Sequence, residues 1–240
     1  MLTGFFITGT DTEVGKTTVT CGLISALREL GLKAAGFKPV ASGCTLTDGG
    51  WVNDDALMLH AAAAMEPPFE WVNPYPLPEP TTPEIAASLQ GIKIDPRPII
   101  NAFEAMSSRF SPLLVEGVGG YAVPFAKGFS QRDLARQLGL PVILVVGLKL
   151  GCINHALLTA QAIEADGLDL IGWIGNAIDP NLSFAGATTQ LLTERIPAPC
   201  LGLVGRLPAN DPKRVGGALL GVARRISGLL GSGVRQVHVA

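Results

Sequence analysis

Short apolar runs alternate with segments of helical spacing along the chain. The runs are rich in Val, Ile and Leu, and each is long enough for a buried parallel strand but too short for a helix. They lie at residues 5–8, 113–116, 141–146 and 168–176. The helical segments are residues 16–29, 54–64, 131–138, 153–165, 188–195 and 218–229. This alternation predicts a three-layer α/β/α fold with a mostly parallel sheet, in which ligands bind beyond the carboxyl ends of the strands.

One proline-dense segment, residues 67–83, interrupts this pattern. Proline blocks helix continuation and strand pairing, so the segment predicts a rigid, extended surface connection. It is followed by a short predicted helix at residues 84–90, which Pro83 starts. Residues 1–240 contain no internal repeat and no shift in composition, which predicts one domain. Residues 228–240 lose clear periodicity and are expected to fray.

The composition restricts the classes of function. Hydrophobic residues make up 48% of the 240 residues and charged residues 16%, which excludes an intrinsically disordered chain. A formal net charge of −2 offers no long-range attraction to nucleic acid or to a membrane surface, so neither is an expected partner. The longest apolar stretch, residues 142–148, is far shorter than the roughly 18 residues that a membrane span needs. Any anion site must therefore be local.

The cysteines Cys21, Cys44, Cys152 and Cys200 form no CxxC pair and no Cys/His spacing typical of zinc ligands. They are predicted to be buried free thiols, and a cytoplasmic location is the expectation that follows. The N-terminal MLTGFFITGT has no positively charged segment before its apolar run. It is therefore interpreted as a first strand and not as a signal peptide.

A strand, a Gly/Thr loop and an amphipathic helix follow one another directly in FFITGTDTEVGKTTVTCGLISAL. This context indicates a phosphate-binding P-loop. Backbone N–H groups and the helix N-terminus would surround the phosphates, Lys16 would neutralise their oxygens, and the Thr17 hydroxyl would bind Mg²⁺. The spacing departs slightly from the usual pattern, since Thr10 stands where the first glycine is expected. Two carboxylates in the loop, Asp11 and Glu13, are unusual beside polyanions and indicate a cationic co-substrate.

Charged residues near two further apolar runs extend this site. Glu116 is the only charge in its run and opens the segment 117–120, here called the glycine loop, so it is a candidate Mg²⁺ ligand. Lys38 follows a second predicted strand at the same edge of the sheet and is a candidate for neutralising phosphate. Asp54 and Asp55 precede a helix, where the spacing alone leaves a metal ligand and a helix N-cap equally open.

Longer segments of the chain carry a family resemblance. From Thr8 to about Leu203 the chain resembles the dethiobiotin synthetases of biotin biosynthesis. The segments that carry the resemblance are TGTDTEVGKT, GFKPVASG, VNPYPLPEPTTP, VEGVGGYAVP, LPVILVVGLKLGCINHALLTAQAI and GWIGNAI. The resemblance implies an ATP-dependent cyclo-ligase that closes a cyclic urea from 7,8-diaminopelargonate and CO₂, with Mg²⁺ as cofactor. One amine captures CO₂ as a carbamate, the carbamate attacks the γ-phosphoryl group of ATP, and the second amine closes the ring by expelling phosphate.

The same resemblance implies roles for individual residues. ATP contacts are implied for Glu13, Val14, Gly15, Lys16, Thr17, Thr18, Asp55, Glu116, Gly117, Val118, Gly119, Asn176, Ala177, Gly205, Arg206, Leu207 and Asp211. Contacts to the diamine or its carbamate are implied for Thr12, Ser42, Gly151, Cys152, Ile153 and Asn154. The implied Mg²⁺ ligands are Thr17, Asp55 and Glu116, and the implied catalytic residues are Lys16 and Lys38. Within this set, Asn176 would read the adenine edge.

The resemblance also implies a homodimer, because residues 151–154 reach across a two-fold interface in the family. The chain departs from the family pattern at a few positions. Ala177 stands where an aspartate is common, residues 205–207 stand where a Pro-x-Leu sequence is common, and Glu84 stands where a histidine is common. These departures concern nucleotide selectivity and loop detail and leave the phosphate chemistry unchanged.

Two other functions compete with this interpretation. A cobyrinate-type amidoligase normally carries a fused glutaminase domain, for which 240 residues leave no room. A ParA/MinD-like regulatory ATPase typically has a second lysine early in its P-loop, where this chain has Asp11. Such ATPases often also have a basic or amphipathic tail, and the end of this chain carries few charges. The regulatory ATPase remains the alternative.

Overall fold

The computed structural model describes residues 3–205 and 212–231. Its strands are β1 (Gly4–Gly9), β2 (Ala35–Phe37), β3 (Val40–Ser42), β4 (Thr45–Thr47), β5 (Gly50–Val52), β6 (Tyr75–Leu77), β7 (Leu113–Glu116), β8 (Pro124–Ala126), β9 (Phe129–Ser130), β10 (Val142–Gly147), β11 (Leu170–Asn176) and β12 (Cys200–Val204). Its helices are α1 (Lys16–Glu29), α2 (Asp54–Ala62), α3 (Phe69–Val72), α4 (Pro83–Leu89), α5 (Pro96–Ser107), α6 (Gln131–Leu138), α7 (Cys152–Ala165), α8 (Ala185–Arg195) and α9 (Pro212–Gly231).

Within the described residues, six strands form one parallel sheet in the order β12-β11-β10-β1-β7-β2. The first strand of the chain, β1, lies near the middle, between β10 and β7. Because all six strands run in the same direction, the loops that follow them meet at one edge of the sheet. Short strand pairs lie beside the sheet: β3 with β6, β4 with β5, and β8 with β9.

The central strands are covered on both faces. Every residue of β1 and of β10 is buried, which requires a packed layer on each side of the sheet. Helix α1 packs against β1, β2 and β7 and against α9, while α7 packs against β10 and β11. Phe5, Phe6, Leu23 and Trp173 are among the largest fully buried side chains of this core. The predicted α/β fold with a mostly parallel sheet is thereby confirmed.

Local sequence signals explain why some predicted bounds are confirmed to the residue, as in α1, α6 and β7. In α6, the Ser130 side chain caps the helix, and the Asp133 carboxylate accepts a hydrogen bond of 2.8 Å from the Ser130 N–H. Gly139 ends the same helix in a left-handed conformation. A capping box at the start and a glycine at the end are the two signals that define helix bounds best.

The proline-dense segment is not the extended surface connection that the sequence predicts. It contains α3 and β6, in which Val72 and Leu77 are fully buried. Strand β6 pairs in parallel with β3. A strand with a neighbour on one side tolerates Pro76, because alternate N–H groups need no partner in the sheet. Because of its many prolines, the segment was not predicted to contain these two elements, which pack against the core.

The sequence prediction also missed α5 and β12. Helix α5 begins with Pro96 and has Pro98 in its first turn. Prolines in a sequence usually indicate the end of a helix. They are tolerated in the first turn, because the first N–H groups of a helix have no partner within the helix. Asp95 caps α5 by accepting a hydrogen bond of 2.8 Å from the Arg97 N–H. Strand β12 is a short run interrupted by Gly202, which weakens its strand pattern.

Fraying is predicted from residue 228, and residues 228–231 of that segment are described as the end of α9. Helix α9 continues to Gly231, and it packs against α1 and β12. Packing along one face stabilises a helix whose sequence periodicity is weak. Residues 232–240 lie outside the described residues. Within the described ranges, no helix combines the length and apolar character needed to cross a membrane.

All four cysteines are free thiols. Cys21, Cys44 and Cys152 are buried as predicted, whereas Cys200 is half-buried. Burial raises the pKa of Cys21 to about 12 and that of Cys44 to about 11. Because the thiolate is the reactive form, these two side chains behave as small apolar residues at neutral pH.

The crossing of α1 and α9 depends on Gly22, where a Cβ atom would collide with Cγ1 of Val215. We expect Gly22→Val to lower the free energy of unfolding by about 1–3 kcal/mol through overpacking. Gly217→Ala in α9 is the matched control, because its Cβ would meet nothing within 4 Å. Alanine there should raise the free energy of unfolding by about 0.5–1 kcal/mol. Urea denaturation measures both, and a wild-type midpoint for Gly22→Val would contradict this description of the packing.

Candidate active site

The P-loop joins β1 to α1 at the carboxyl edge of the sheet. No side chain caps the N-terminus of α1, so its first backbone N–H groups are available to an anion at the positive end of the helix. Gly15 has a φ of 82°, and a Cβ atom there would collide with the side-chain nitrogen of Asn176. Both observations require glycine at this point. Glu13 also has a positive φ, of 58°, which gives the loop a conformation that side chains rarely adopt.

Lys16 is held in the loop by the backbone. Its side chain is buried, and Nζ donates a hydrogen bond of 2.9 Å to the Asp11 carbonyl oxygen. Burial, together with the positive charge of Lys38, lowers the pKa of Lys16 to about 8. The ammonium group is therefore poorly compensated in the free protein. An anionic ligand such as a phosphate would stabilise it.

The two carboxylates of the loop differ in their surroundings. Asp11 is paired within the protein, since Lys149 Nζ lies 3.2 Å from Oδ2 and the Thr12 N–H donates to Oδ1 at 2.8 Å. Burial alone would raise the pKa of Asp11, but the Thr12 N–H and Lys149 outweigh it, and the pKa lies below its ordinary value. Asp11 is therefore already paired within the protein, and its interaction with a cationic co-substrate stays a prediction. Glu13, in contrast, lines a cavity that opens beside the P-loop.

Lys38, Asp55, Glu116 and Thr17 form what we call the charge cluster. Lys38 Nζ donates hydrogen bonds of 2.6 Å to Glu116 Oε1 and 2.9 Å to Asp55 Oδ2. Thr17 Oγ1 donates to the same Glu116 Oε1 at 2.7 Å. Lys38 and Glu116 are only 2% and 0% exposed. The structure thus brings together predicted residues from four separate segments of the chain.

The charges of the cluster stabilise one another. Burial alone would lower the pKa of Lys38, but Glu116 and Asp55 outweigh it and raise the pKa. Burial alone would raise the pKa of Asp55, but the contact with Lys38 lowers it. Lys38 and Asp55 are therefore both charged at neutral pH. Loss of Lys38 would leave the fully buried Glu116 carboxylate without its charge partner, which is strongly destabilising.

Asn53 is the N-cap of α2, a role that the sequence left open between Asp54 and Asp55. Its Oδ1 accepts a hydrogen bond of 3.3 Å from the N–H three residues later, and its Nδ2 donates to the Ser42 carbonyl at 3.2 Å. Because Asn53 caps the helix, the Asp55 carboxylate is available to accept its hydrogen bond from Lys38. Sequence reasoning missed Asn53, although an asparagine directly before the acidic first turn of a helix is a recognised capping signal.

The oxygen atoms of the cluster fit a Mg²⁺ ion. Glu116 Oε2 is buried and has no hydrogen-bond partner among the described residues. The Thr17 hydroxyl and the Asp55 carboxylate lie within the same cluster. Mg²⁺ typically binds one or two carboxylates together with substrate phosphates and water. Two carboxylates beside a P-loop are the kind of oxygen ligands that such a site would use.

A cavity of about 820 Å³ opens beside the P-loop and the charge cluster. The predicted site residues that line it are Thr12, Glu13, Gly15, Lys16, Thr17, Thr18, Lys38, Ser42, Asp55, Val118 and Gly119. Residues that the sequence analysis missed also line it, namely Ala41, Asn53, Met58, Val123 and residues 80–83. Residues 80–83 end the proline-dense segment. Because the sequence predicts a surface connection there, these residues were not expected to line a cavity.

The predicted ATP contacts from Asn176 onward, of which Asn176 would read adenine, lie at the neighbouring strand ends. Asn176 ends β11, and its Nδ2 donates a hydrogen bond of 3.0 Å to the Val14 carbonyl. Ala177 follows it, and the exposed Gly205 follows β12. Because β11 and β12 are adjacent, Asn176, Ala177 and Gly205 share one edge of the sheet. The other predicted contacts at this end, Arg206, Leu207 and Asp211, lie outside the described residues.

The predicted substrate contacts at the start of α7 do not line the cavity of the same chain. Gly151 precedes α7 in a left-handed conformation, and no side chain caps the helix. Cys152 is buried, while Leu150 is 91% exposed. Ile153 is half-buried and Asn154 is exposed. The described chain therefore presents this helix start to the surface, separate from the P-loop cavity.

Solved structures share this fold at low sequence identity. The cell division ATPase MinD of Pyrococcus furiosus aligns with a TM-score of 0.58 and 16% identity, covering 95% of this chain and 100% of that chain. The septum site-determining protein MinD of Pyrococcus horikoshii, solved with Mg-ADP, aligns with a TM-score of 0.58 and 18% identity, covering 98% and 100%. At these identities the likeness establishes the P-loop fold alone.

Sequence relatives are much closer. A family model described as an AAA domain matches residues 3–214. The ATP-dependent dethiobiotin synthetase BioD of Aromatoleum aromaticum is 49% identical over 90% of this chain and 96% of the relative. Proteins of the same name from Xanthomonas euvesicatoria and Xylella fastidiosa are 48% and 47% identical, each over 86% of this chain and 92% of the relative. With a P-loop fold and such identity along most of its length, this chain belongs to the ATP-dependent dethiobiotin synthetases, ligases of biotin biosynthesis.

Proposed function

We propose that this protein converts 7,8-diaminopelargonate, CO₂ and ATP into dethiobiotin, ADP and phosphate, with Mg²⁺ as cofactor. The observation that carries the proposal is that the P-loop, Lys38 and Ser42 share one cavity of about 820 Å³. A volume in this range suits a small organic substrate together with the terminal phosphates of a nucleotide. The dethiobiotin synthetase names of the relatives support the same chemistry.

The cavity wall offers groups that suit a diamine and its carbamate. Ser42 Oγ is buried without a hydrogen-bond partner among the described residues, and it lines the cavity. A hydroxyl can accept a hydrogen bond from an amine or donate one to a carbamate oxygen. Thr12 supplies a second hydroxyl, and the Glu13 carboxylate supplies a negative charge for an ammonium group. We assign Thr12 and Ser42 to substrate binding.

The proposed reaction needs charge stabilisation and positioning. One amine attacks CO₂ and loses a proton to form the carbamate. A carbamate oxygen then attacks the γ-phosphorus, ADP leaves, and a carbamic-phosphoric anhydride forms. The second amine attacks the carbamate carbon, and phosphate leaves with the bridging oxygen. Lys16 and Lys38 would stabilise the negative charge on the carbamate and on the transferring phosphoryl group.

Backbone groups and oxygen ligands would hold the nucleotide. Residues 13–18 of the P-loop would surround the triphosphate, and residues 117–119 of the adjacent glycine loop would also contact it. Thr17, Asp55 and Glu116 would hold Mg²⁺, which offsets negative charge on the phosphate oxygens. Asn176, Ala177 and Gly205 would contact the base. Arg206, Leu207 and Asp211 belong to the same proposed set.

We further propose that residues 1–240 form one domain that acts as a cytoplasmic homodimer. Residues 151–154 do not line the cavity of their own chain, although Lys149 pairs with Asp11 of the P-loop, and in the proposed dimer they contact the substrate of the partner chain. The uncapped start of α7 could then bind the substrate carboxylate. Four free thiols and small, soluble substrates support the cytoplasm as the location. No nucleic acid or membrane partner is proposed.

The first test distinguishes this enzyme from a MinD-like regulatory ATPase. We expect phosphate release with Mg·ATP and bicarbonate only when 7,8-diaminopelargonate is present, with one phosphate released per dethiobiotin formed. The reason is that the carbamate, and not water, is the proposed nucleophile. Coupled phosphate release and mass spectrometry of the product measure both quantities. Rapid ATP hydrolysis without the diamine would contradict the proposal.

The second test concerns the two lysines. Lys16→Met and Lys38→Met keep an unbranched side chain that is one atom shorter but remove a positive charge from the phosphate site. We expect each to lower kcat by about 10²–10³-fold, the usual effect of losing one preorganised charge stabiliser. Lys127→Met, at an exposed position, is the control and should retain wild-type kcat. Circular dichroism checks that the variants fold. Wild-type turnover of a folded Lys38→Met protein would exclude its proposed role.

A further inference from the structure

The glycine loop (residues 117–120) is held by one buried amide side chain. Gln131, the first residue of α6, is 1% exposed. Its Oε1 accepts a hydrogen bond of 2.7 Å from the Val118 N–H, and its Nε2 donates one of 2.7 Å to the Gly120 carbonyl. A single side chain therefore satisfies a backbone donor and a backbone acceptor two residues apart. Only an amide offers both functions at this length.

The loop and the amide are in close contact. A Cβ atom on Gly117 would lie 2.6 Å from Gln131 Nε2 and 2.7 Å from its Oε1, so the backbone of Gly117 rests directly on the amide. Gln131 also donates its own backbone N–H to the Val123 carbonyl at 2.9 Å. The loop is thus attached to Gln131 at Val118 and Gly120, and the segment after the loop is attached at Val123. A displaced Gln131 side chain would release it.

The next residue of α6 secures the far end of the same loop. Tyr121, which directly follows the loop, donates its hydroxyl to Asp166 Oδ2 at 2.7 Å. Arg132 donates to both oxygens of Asp166, at 2.8 Å and 2.6 Å. Two consecutive residues, Gln131 and Arg132, therefore hold the loop and the residue after it. Asp166 lies at the end of α7, so this network also connects the loop to that helix.

The opposite side of the loop faces the active site. Val118 and Gly119 line the large cavity, and Glu116 of the charge cluster directly precedes the loop. Lys38 Nζ lies 3.5 Å from the Gly117 carbonyl. Gln131 itself is not among the described residues that line the cavity. Any effect of Gln131 on the reaction must therefore act through the loop.

We propose that Gln131 is a positioning residue that sets the glycine loop, and with it Glu116, for binding Mg²⁺ and nucleotide. This inference rests on the proposed function, in which Glu116 is a metal ligand. Partners that orient metal ligands typically change metal affinity or activity by about 10–100-fold when they are lost. Gln131 would act in this way from behind the loop, without touching substrate, cofactor or the reacting atoms.

The test compares Gln131→Met with Gln137→Met in the full-length protein. Gln137 lies exposed on the same helix, so it controls for the change in residue type. Mg²⁺ is titrated in the presence of a fluorescent ADP analogue, and hydrogen exchange is followed at the Val118 amide. We expect Gln131→Met to weaken Mg²⁺-dependent binding by about 10–100-fold and to speed exchange at Val118. Gln137→Met should match the wild type in both measurements.

A purely structural role for Gln131 predicts a different pattern. Gln131→Met would then lower the melting temperature but keep wild-type Mg²⁺ affinity and wild-type KM for ATP, and this result would overturn the inference. If Gln131→Met does not fold, Gln131→Glu replaces it, since it keeps the size and the acceptor but loses the donor to Gly120. Glu116→Gln serves as the reference. If Glu116→Gln binds Mg²⁺ like the wild type, the proposed metal site itself fails; if only Gln131→Met does so, the inference on Gln131 alone fails.

Discussion

The buried ion pair between Lys38 and Glu116 is the interaction on which the site depends. Removing each charge from water costs several kcal/mol, which only close pairing and further hydrogen bonds can offset. Parallel pairing of β2 with β7 brings Lys38 and Glu116 together, because each directly follows or ends its strand at the same edge of the sheet. Asn73 donates to the Lys38 carbonyl at 2.7 Å and fixes its backbone. The register of the sheet thus determines the geometry of the chemistry.

This arrangement explains how a nearly neutral chain can bind a highly charged nucleotide. The net charge of −2 gives no general attraction to anions, but Lys16 and Lys38 are concentrated in one cavity. Their surroundings differ. The carboxylates of the cluster stabilise the charge of Lys38, whereas burial and Lys38 lower the pKa of Lys16 to about 8. Lys16 therefore gains most from an arriving phosphate, while Lys38 holds the carboxylates of the charge cluster together.

Much of the fold and the P-loop could be predicted because local sequence signals determine them. Features that depend on long-range packing could not be predicted. The P-loop lies within one strand, loop and helix, so its residues could be assigned from adjacent sequence. Glu116 and Lys38 could each be proposed, but their direct contact depends on strand order, which the sequence does not display. Gln131 was missed because a glutamine at the start of a helix usually indicates a solvated position. Its burial arises from the glycine loop, which folds back onto it.

The central claim is that a carbamate oxygen attacks the γ-phosphoryl group of ATP. The most direct test is the ¹⁸O content of the phosphate that is released when the enzyme reacts with C¹⁸O₂, unlabelled ATP and 7,8-diaminopelargonate in unlabelled water. Mass spectrometry measures it, and short reaction times limit the exchange of oxygen between CO₂ and water. If the carbamate is the nucleophile, its bridging oxygen leaves with the phosphate, so each phosphate should contain one ¹⁸O atom and the ring carbonyl should retain the other. Unlabelled phosphate would show that water attacks ATP, and it would contradict the account.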